Sequence, residues 1–141
     1  MTVNQISIFI ENKYGKLSEI LALLGNGNIH IIAATVADTS EYGILRLIVT
    51  ESEKAYKILK SNNVNANLTD VLAIATESSA GSFAKTLKCF TQSGLSIEYM
   101  YCFSLKEKSV IIIRTNNREA AREVIRRNDL DYISESDLVN L

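Results

Sequence analysis

The chain repeats itself at a fixed distance, and this duplication limits its possible folds more than any other feature. The segment Asn12–Ile31 and the segment Ser78–Ile97, 66 residues further on, share one plan: a short loop, an amphipathic helix, a turn and the start of a strand. Apolar residues keep their places in both copies, whereas most polar positions differ. We therefore predict two related domains, one at residues 1–69 and one at residues 70–141.

Hydrophobic periodicity gives each copy the order strand, helix, strand, strand, helix, strand. Ile6, Ile8 and Ile10 recur at every second position, as in a strand with one face in a core, and an apolar stripe with helical spacing runs from Leu17 to Leu24. Short connections and right-handed crossovers then favour an α+β fold. We predict two tandem ferredoxin-like βαββαβ units, each with an antiparallel sheet and its helices on one face.

Two local signals place the second helix of each copy. Thr50 and Glu53 have the spacing of a capping box, and so do Asn116 and Glu119 at the equivalent positions. We predict that each pair caps a helix.

The domain boundary contains neither proline nor a flexible linker. We predict that a short strand at Val64–Leu68 ends the first unit and that a separate strand at Val71–Ala75 begins the second. The two units are therefore joined almost strand to strand.

The sheet face opposite the helices is too apolar to be open to water. Four consecutive apolar residues, Val110–Ile113, indicate a strand that is buried on both faces. Packing of sheet on sheet, within the chain or in a homodimer, would provide that burial. The residues of the first copy predicted on this face are Phe9, Ile32, Val36, Ile44 and Ile48.

Composition excludes several classes of protein. The net charge is −1, with basic and acidic residues interspersed, so the chain lacks the basic footprint of a nucleic-acid-binding protein. It has no apolar run of the ~18 residues needed to span a membrane and no signal peptide, which predicts a cytoplasmic protein. Cys89 and Cys102 lack metal-ligand spacing, so we expect buried free thiols and neither a metal nor a cofactor. No catalytic motif is present, and we do not expect an enzyme.

The loop and helix pattern resembles a known family. A βαββαβ unit whose first strand ends in NKYGKL (12–17) or SSAGSF (78–83), followed by a helix and then GNIHI or GLSIEYM, resembles an ACT domain, here in tandem. The family's loop reads Asp or Asn, a variable residue, Pro, Gly, a variable residue and Leu. Asn12, Gly15 and Leu17 match it in the first copy and Gly81 and Phe83 in the second, while Tyr14 and Ala80 replace the proline and Ser78 replaces Asp or Asn.

The resemblance implies a regulatory protein that binds an amino acid or a related metabolite, usually where two such domains meet. It further implies a homodimer that controls a metabolic enzyme in trans. The alternative is a ligand-independent regulatory or assembly subunit of a biosynthetic enzyme, similar to the acetolactate synthase small subunit. If the two loops line a cavity, the ligand-binding function is favoured. If side chains fill the loops, the ligand-independent assembly function is favoured.

The chemistry of a loop that leads into a helix supports a binding site for an amino acid. Its backbone N–H groups lie at the positive end of the helix dipole, which suits a carboxylate, and a glycine allows close approach. Side-chain oxygens of the loop would accept from an ammonium group. The predicted ligand-binding residues are Asn12, Lys13, Tyr14, Gly15, Lys16, Leu17, Asn28, Ile29, His30 and Ile31 in the first copy, and Ser78, Ser79, Ala80, Gly81, Ser82, Phe83, Leu95, Ser96, Ile97 and Glu98 in the second.

Three structural explanations of these residues, without a ligand, remain open at the level of sequence. The two loop glycines would merely make turns, with the serines capping a helix. His30 would be a surface or interface residue. Glu98, Tyr99 and Tyr101 would line either a pocket or an interface.

Overall fold

The computed structural model of the chain describes residues 2–11, 15–38 and 41–139, and within these ranges it contains six strands and five helices. The chain divides into two compact units, whose main segments are Asn4–Asp70 and Val71–Leu138. In chain order the elements are β1 (Thr2–Glu11), α1 (Lys16–Asn26), β2 (Ile31–Asp38), β3 (Tyr42–Val49), α2 (Ser52–Ser61), β4 (Ala66–Glu77), α3 (Ser82–Thr91), β5 (Ile97–Leu105), β6 (Lys108–Thr115), α4 (Arg118–Arg127) and α5 (Glu135–Val139).

The first unit is an antiparallel sheet with two helices packed on it. Its strands lie in the order β2-β3-β1-β4, with Ile6 paired to Leu47 and the N–H of Phe9 donating to the carbonyl of Asn65 over 3.0 Å. Burial of each large side chain between sheet and helices stabilises the unit by about 1.5–3 kcal/mol. The buried core comprises Ile6, Ile8, Ile10, Ile20, Leu24, Ile29, Leu45, Leu47, Val49, Ala55, Leu59, Val64 and Ala66.

The second unit repeats this arrangement except at its end, where the strand predicted after the second helix is wrong: a single bridge and the helix α5 take its place. Its strands lie in the order β4-β6-β5, with Ile113 paired to Leu72 and Met100. On the other side of β4, a single bridge joins Ile74 to Tyr132 before α5 begins. The buried core comprises Leu72, Ile74, Phe90, Leu95, Ile111, Ile113, Ala121, Val124 and Ile125.

The structure confirms the predicted fold class of two ferredoxin-like units, but the predicted break at the domain boundary is wrong. The strands predicted at Val64–Leu68 and Val71–Ala75 are one strand, β4. Ala66 belongs to the core of the first unit, and Leu72 and Ile74 belong to the core of the second. Neither proline nor glycine occurs between Val64 and Ala75, so nothing in the local sequence forces the strand to end at the boundary.

The predicted burial of β6 on both faces is confirmed. Val110, Ile111, Ile112 and Ile113 are all fully buried. Ile111 and Ile113 belong to the helix-facing core, so Val110 and Ile112 occupy the opposite face of the strand. Phe9, predicted on the same face in the first unit, is nevertheless 47 % exposed.

A β-bulge corrects the predicted facing of residues on β2. The pairing register between β2 and β3 shifts between Ile31 and Ala33. Ile31 precedes the bulge and pairs with Val49 of the core, so it stays on the helix-facing side with Ile29, although it is 39 % exposed. Beyond the bulge Val36 pairs with Leu45, which places it on the helix-facing side and not beside Phe9.

Both predicted capping boxes are wrong by one residue. α2 follows Glu51, and within the described part of the chain no side chain caps it. α4 follows Asn117, whose side-chain oxygen accepts from the N–H of Ala120 over 3.1 Å. Asn116 accepts instead from the N–H of Ser96 over 3.2 Å, which ties the start of α4 to the residue before β5.

The cysteines are free thiols as predicted, but they are not both buried. Cys89 is half-buried, whereas Cys102 is exposed at the edge strand β5. Partial burial raises the pKa of the Cys102 thiol. No helix in the described ranges has the length and apolar character required to cross a membrane.

Candidate functional site

The first helix of each unit begins at a glycine in the left-handed region. Gly15 precedes α1 with φ 83° and Gly81 precedes α3 with φ 85°. Their carbonyls accept from the N–H groups of Glu19 and Lys85, each over 3.0 Å, which closes the first helical turn. No side chain caps either helix among the residues that the structure describes, so donors of the first turn are left to solvent or to a ligand.

These two glycines meet a conformational requirement. A residue with a side chain in this region costs roughly 1–2 kcal/mol, because its Cβ approaches the following carbonyl. Apart from the adjoining residues, no described atom lies within 4 Å of the place that a Cβ would occupy at either position, so there is open space beside each glycine. The positions are equivalent in the duplication, and the duplicated chain has kept the same local geometry at both.

The first loop is described only in part. Asn12, Lys13 and Tyr14 lie outside the described residues. Lys16 forms a surface ion pair with Glu19, with 3.9 Å between the nitrogen and the oxygen, and Leu17 is 37 % exposed.

The second loop bonds largely to itself and to β6. The hydroxyl of Ser78 lies 3.1 Å from that of Ser109, and the hydroxyls of Ser79 and Ser82 share a hydrogen bond. Ala80 is exposed, as is Phe83 at 36 %. The serines predicted to meet a ligand thus already have partners in the protein.

The residues predicted as the opposite wall lie at the far end of the helix in each unit. α1 runs from Lys16 to Asn26, about 16 Å at 1.5 Å per residue, and Asn28 to Ile31 follow its C-terminus. Leu95 to Glu98 stand in the same relation to α3. Within a single unit, the structure therefore does not bring the two predicted groups together.

Several wall residues have structural roles. Ile29 and Leu95 are buried in the two cores, with exposed fractions of 6 % and 8 %. His30 is exposed, and its carbonyl accepts from the N–H of Thr50 over 3.1 Å. Asn28 is in the left-handed region with φ 60°, and Ser96 is exposed.

Glu98 and Ile97 mark the bulge at the start of β5. The register between β5 and β6 shifts between Ile97, which is half-buried, and Tyr99. Glu98 lies between them and faces Arg114 across 3.8 Å, in a partly exposed ion pair. Glu98 therefore already has a cation beside it.

Both units contain a concavity that the sequence did not predict. It lies between the end of the unit's first strand, the start of its first helix and the turn that follows its second helix. In the first unit its volume is about 440 Å³, and it is lined by Phe9, Ile10, Glu11, Lys16, Tyr42, Asn63, Val64 and Asn65. In the second unit the volume is about 510 Å³, and the same positions contribute Ala75, Thr76, Glu77, Ser82, Asp129, Leu130 and Asp131.

One signal in the sequence could have located this cleft. Glu11 and Glu77 stand 66 residues apart, as do the turn residues Asn63 and Asp129. Asn63 and Asp129 are both in the left-handed region, with φ 59° and 50°. Asn and Asp are the residues with side chains that tolerate this conformation best, so their repetition marks a shared turn.

A further cavity of about 570 Å³ lies beside the final helix, and half of its lining residues are acidic. Ser134 and Asp137 form a capping box there: the N–H of Ser134 donates to the Asp137 carboxylate over 3.1 Å, and the N–H of Asp137 donates to the Ser134 hydroxyl over 3.3 Å. The Ser134 hydroxyl also donates to that carboxylate over 2.8 Å. These bonds, the one from the hydroxyl foremost, lower the pKa of Asp137. The described residues include no group of three or more side chains suited to hold a metal.

Two successive ferredoxin-like units, each with a glycine-capped first helix, define the protein as a paired α+β module. The chain belongs to the ACT domain pair family, whose model matches residues 1–141. The resemblance drawn from the two loops is thereby confirmed.

Solved structures agree with this assignment. Protein BT0572 from Bacteroides thetaiotaomicron is 39 % identical, with a TM-score of 0.94, over 100 % of this chain and 98 % of that one. The regulatory subunit of aspartate kinase from Thermus thermophilus, in its ligand-free form, is 18 % identical with a TM-score of 0.62, over 88 % and 91 % of the two chains. At that identity the likeness concerns the fold. No curated protein sequence matches the chain.

Proposed function

We propose that the chain is a regulatory protein that binds an amino acid or a related metabolite and acts on a metabolic enzyme in trans. The observation that carries this proposal is the repeated glycine cap, with Gly15 and Gly81 in the same left-handed conformation before α1 and α3. The solved aspartate kinase regulatory subunits have the same paired fold, which supports a regulatory role for this chain. We further propose that the protein acts in the cytoplasm as a homodimer and has no catalytic activity of its own.

The glycine caps supply the chemistry for a ligand carboxylate. N–H groups of the first helical turn point out of the helix end, and the macrodipole adds a partial positive charge there. Lys16 at the start of α1 adds a full positive charge beside the first cap. Binding regulates a partner only if the ligand prefers one of two conformations, because a ligand shifts an equilibrium by its difference in affinity for the two states.

The two loops favour different functions. Hydrogen bonds among Ser78, Ser79, Ser82 and Ser109 occupy the hydroxyls of the second loop. A loop plugged in this way is what we expect of a ligand-independent assembly subunit. We therefore propose the first copy as the ligand-binding copy and retain assembly as the second candidate function.

A thermal-shift screen against the twenty amino acids and common keto acids tests the proposal. A ligand at 100 times its dissociation constant stabilises the folded state by about 2.7 kcal/mol, enough to raise the melting temperature by several degrees. The variants Gly15→Ala and Gly81→Ala place a Cβ at the proposed contact, and Gly94→Ala is their matched control. Gly94 is also left-handed, with φ 76° and an unobstructed Cβ, so its strain is the same while its place is beyond the end of α3.

A selective shift that Gly15→Ala abolishes and Gly94→Ala preserves would support a metabolite sensor. If every compound leaves the melting temperature of a folded protein unchanged, the ligand proposal fails and the assembly function takes its place.

A further inference from the structure

We propose that the cleft of the first unit binds a small organic carboxylate carrying an aromatic or branched apolar group, and that the equivalent cleft of the second unit does not. This inference rests on the proposed function, in that the chain binds a small metabolite. It assigns the ligand's apolar part to Phe9 and Tyr42, which are not among the ligand-binding residues predicted from the sequence.

The walls of the cleft are held by backbone hydrogen bonds. The N–H of Val64 donates to the carbonyl of Leu59 over 3.0 Å and that of Asn63 to Lys60 over 3.1 Å, which closes the turn after α2. The carbonyl of Asn65 accepts from Phe9 in β1. The second unit repeats the last bond between Asp131 and Ala75, over 2.7 Å. The concavity is therefore a preformed feature of both units, which keeps the entropic cost of binding low.

An aromatic pair lies on one side of the first cleft. The rings of Phe9 and Tyr42 have their centroids 5.4 Å apart at an interplanar angle of 36°. They remain 47 % and 41 % exposed, although both line the cleft. Half-exposed aromatic rings in a concavity with a few polar groups are typical of a small-molecule site, and a flat or branched apolar group would remove their remaining surface from water.

A cation lines the same cleft as the aromatic pair. Lys16 lines it and is 40 % exposed in its side chain, with Glu19 as an ion-pair partner at 3.9 Å. An exposed pair of this length contributes little to stability, so a ligand carboxylate can take the place of Glu19 at small cost. The amide side chain of Asn65 offers a further donor on the same lining.

The second cleft has the same backbone and different side chains. Ala75 replaces Phe9 and Ser82 replaces Lys16, so the ring is lost and the lysine of this lining is Lys85, three residues further along α3. Its lining carries three carboxylates, Glu77, Asp129 and Asp131, against a single lysine, whereas the first lining carries one carboxylate and one lysine. With the ion-pair partners Glu19 and Lys108 counted, both clefts carry a net charge of −1, so the aromatic pair and the cation at the start of the helix are what distinguish the first cleft.

Amide chemical shifts of the ¹⁵N-labelled full chain, titrated with phenylacetate, test this assignment. We expect saturable shifts at residues 9–11 and 63–65, and none at residues 75–77 and 129–131. Acetate lacks the ring and benzylamine carries the opposite charge, so neither is expected to produce those shifts.

Three variants distinguish binding at this site from non-specific binding to exposed aromatic rings. Phe9→Ala, the residue that the second unit carries, and Lys16→Ala should each raise the dissociation constant at least tenfold. Tyr132→Ala removes another exposed aromatic ring, 44 % exposed and outside the cleft, and should leave it unchanged. The melting temperature of each variant verifies its fold.

Shifts of equal size in both units, shifts equally strong with acetate, an absence of saturable shifts, or unchanged affinity in Phe9→Ala would each overturn the inference. The proposed function is judged separately. One combination of results would separate the two: an amino acid raises the melting temperature, Gly15→Ala abolishes this effect and Phe9→Ala preserves it. The proposed metabolite-sensing function would then be supported, and the proposed ligand site at the aromatic cleft would be refuted.

Discussion

Lys108 and Asp131 form an ion pair, with 2.9 Å between Nζ and Oδ2, at the positions where the first unit carries Tyr42 and Asn65. In the first unit Tyr42 contacts Phe9 instead. The second unit carries the small Ala75 at the position of Phe9, which leaves room for an ion pair. The duplicated backbone has thus acquired apolar contacts in one copy and charged contacts in the other.

The Lys108–Asp131 pair should contribute little to stability. Both side chains are more than half exposed, at 59 % and 62 %, so solvent screens their attraction. We expect Asp131→Asn, which installs the residue of the first unit, to lower the free energy of unfolding by about 0–1 kcal/mol, and by less in high salt. Urea unfolding at low and high ionic strength measures this, and a loss that salt leaves unchanged would contradict it.

The Asn117 cap should stabilise α4. Its side-chain oxygen accepts from the N–H of Ala120, and Asn117→Ala should lower the free energy of unfolding by about 1 kcal/mol. Amide exchange should quicken in the first turn of the helix. Asn116→Ala is the matched control, because it removes an acceptor for the N–H of Ser96 and should affect exchange there. Faster exchange at the helix start in the control alone would refute the assignment of the cap.

The pKa of Asp137 should depend on Ser134. Hydrogen bonds from the hydroxyl and then from the N–H of Ser134 lower that pKa, so the folded value lies below the unfolded one. The stabilisation of α5 is accordingly present above the unfolded pKa, roughly 4, and is lost as the pH falls through the folded value. An NMR pH titration of the Asp137 carboxyl should give a higher pKa in Ser134→Ala than in the parent chain.

The control for that titration is Ser136→Ala. The Ser136 hydroxyl lies 3.0 Å from that of Ser134, but the two bonds to the Asp137 carboxylate come from Ser134. The control should therefore leave the Asp137 pKa low. An equal rise in both variants would show that the capping box does not determine this pKa.

Burial of β6 on the face away from the helices should contribute to the free energy of unfolding. Ile112 is fully buried on the face away from the helices, so Ile112→Ala should lower the free energy of unfolding by about 2–5 kcal/mol. Val36→Ala, at a site 50 % exposed, should cost well under about 1 kcal/mol. Chemical unfolding measures both, and similar small losses would mean that Ile112 is open to solvent.

The repeat and its periodicity predicted the fold class because both depend on the order of apolar residues along the chain. Ile6, Ile8 and Ile10 occupy the core as alternation requires, and Val110–Ile113 are buried on both faces. The glycine loops led correctly to the family, since a residue in the left-handed region is strongly favoured to be glycine and is therefore recognisable in the sequence.

Features that depend on distant partners were not predictable in this way. A bulge between Ile31 and Ala33 leaves no periodic signal, because its position is set by pairing with β3. The cap of α4 shifted from Asn116 to Asn117 because Asn116 bonds to Ser96, twenty residues away. Conversely, the capping box at Ser134 and Asp137 has the right spacing but precedes a helix of only five residues.

The sequence by itself determined the two copies, the order of their elements up to the second helix of each and the glycine caps, because each follows from local spacing and backbone preference. Only the tertiary structure decided that β4 continues through the domain boundary and that the predicted loop and wall residues lie at opposite ends of α1 and α3. It also revealed the paired clefts, whose linings come from four separate segments of the first unit and three of the second. Residues far apart in the chain meet there through sheet pairing and core packing, and no local pattern records which of them will become neighbours.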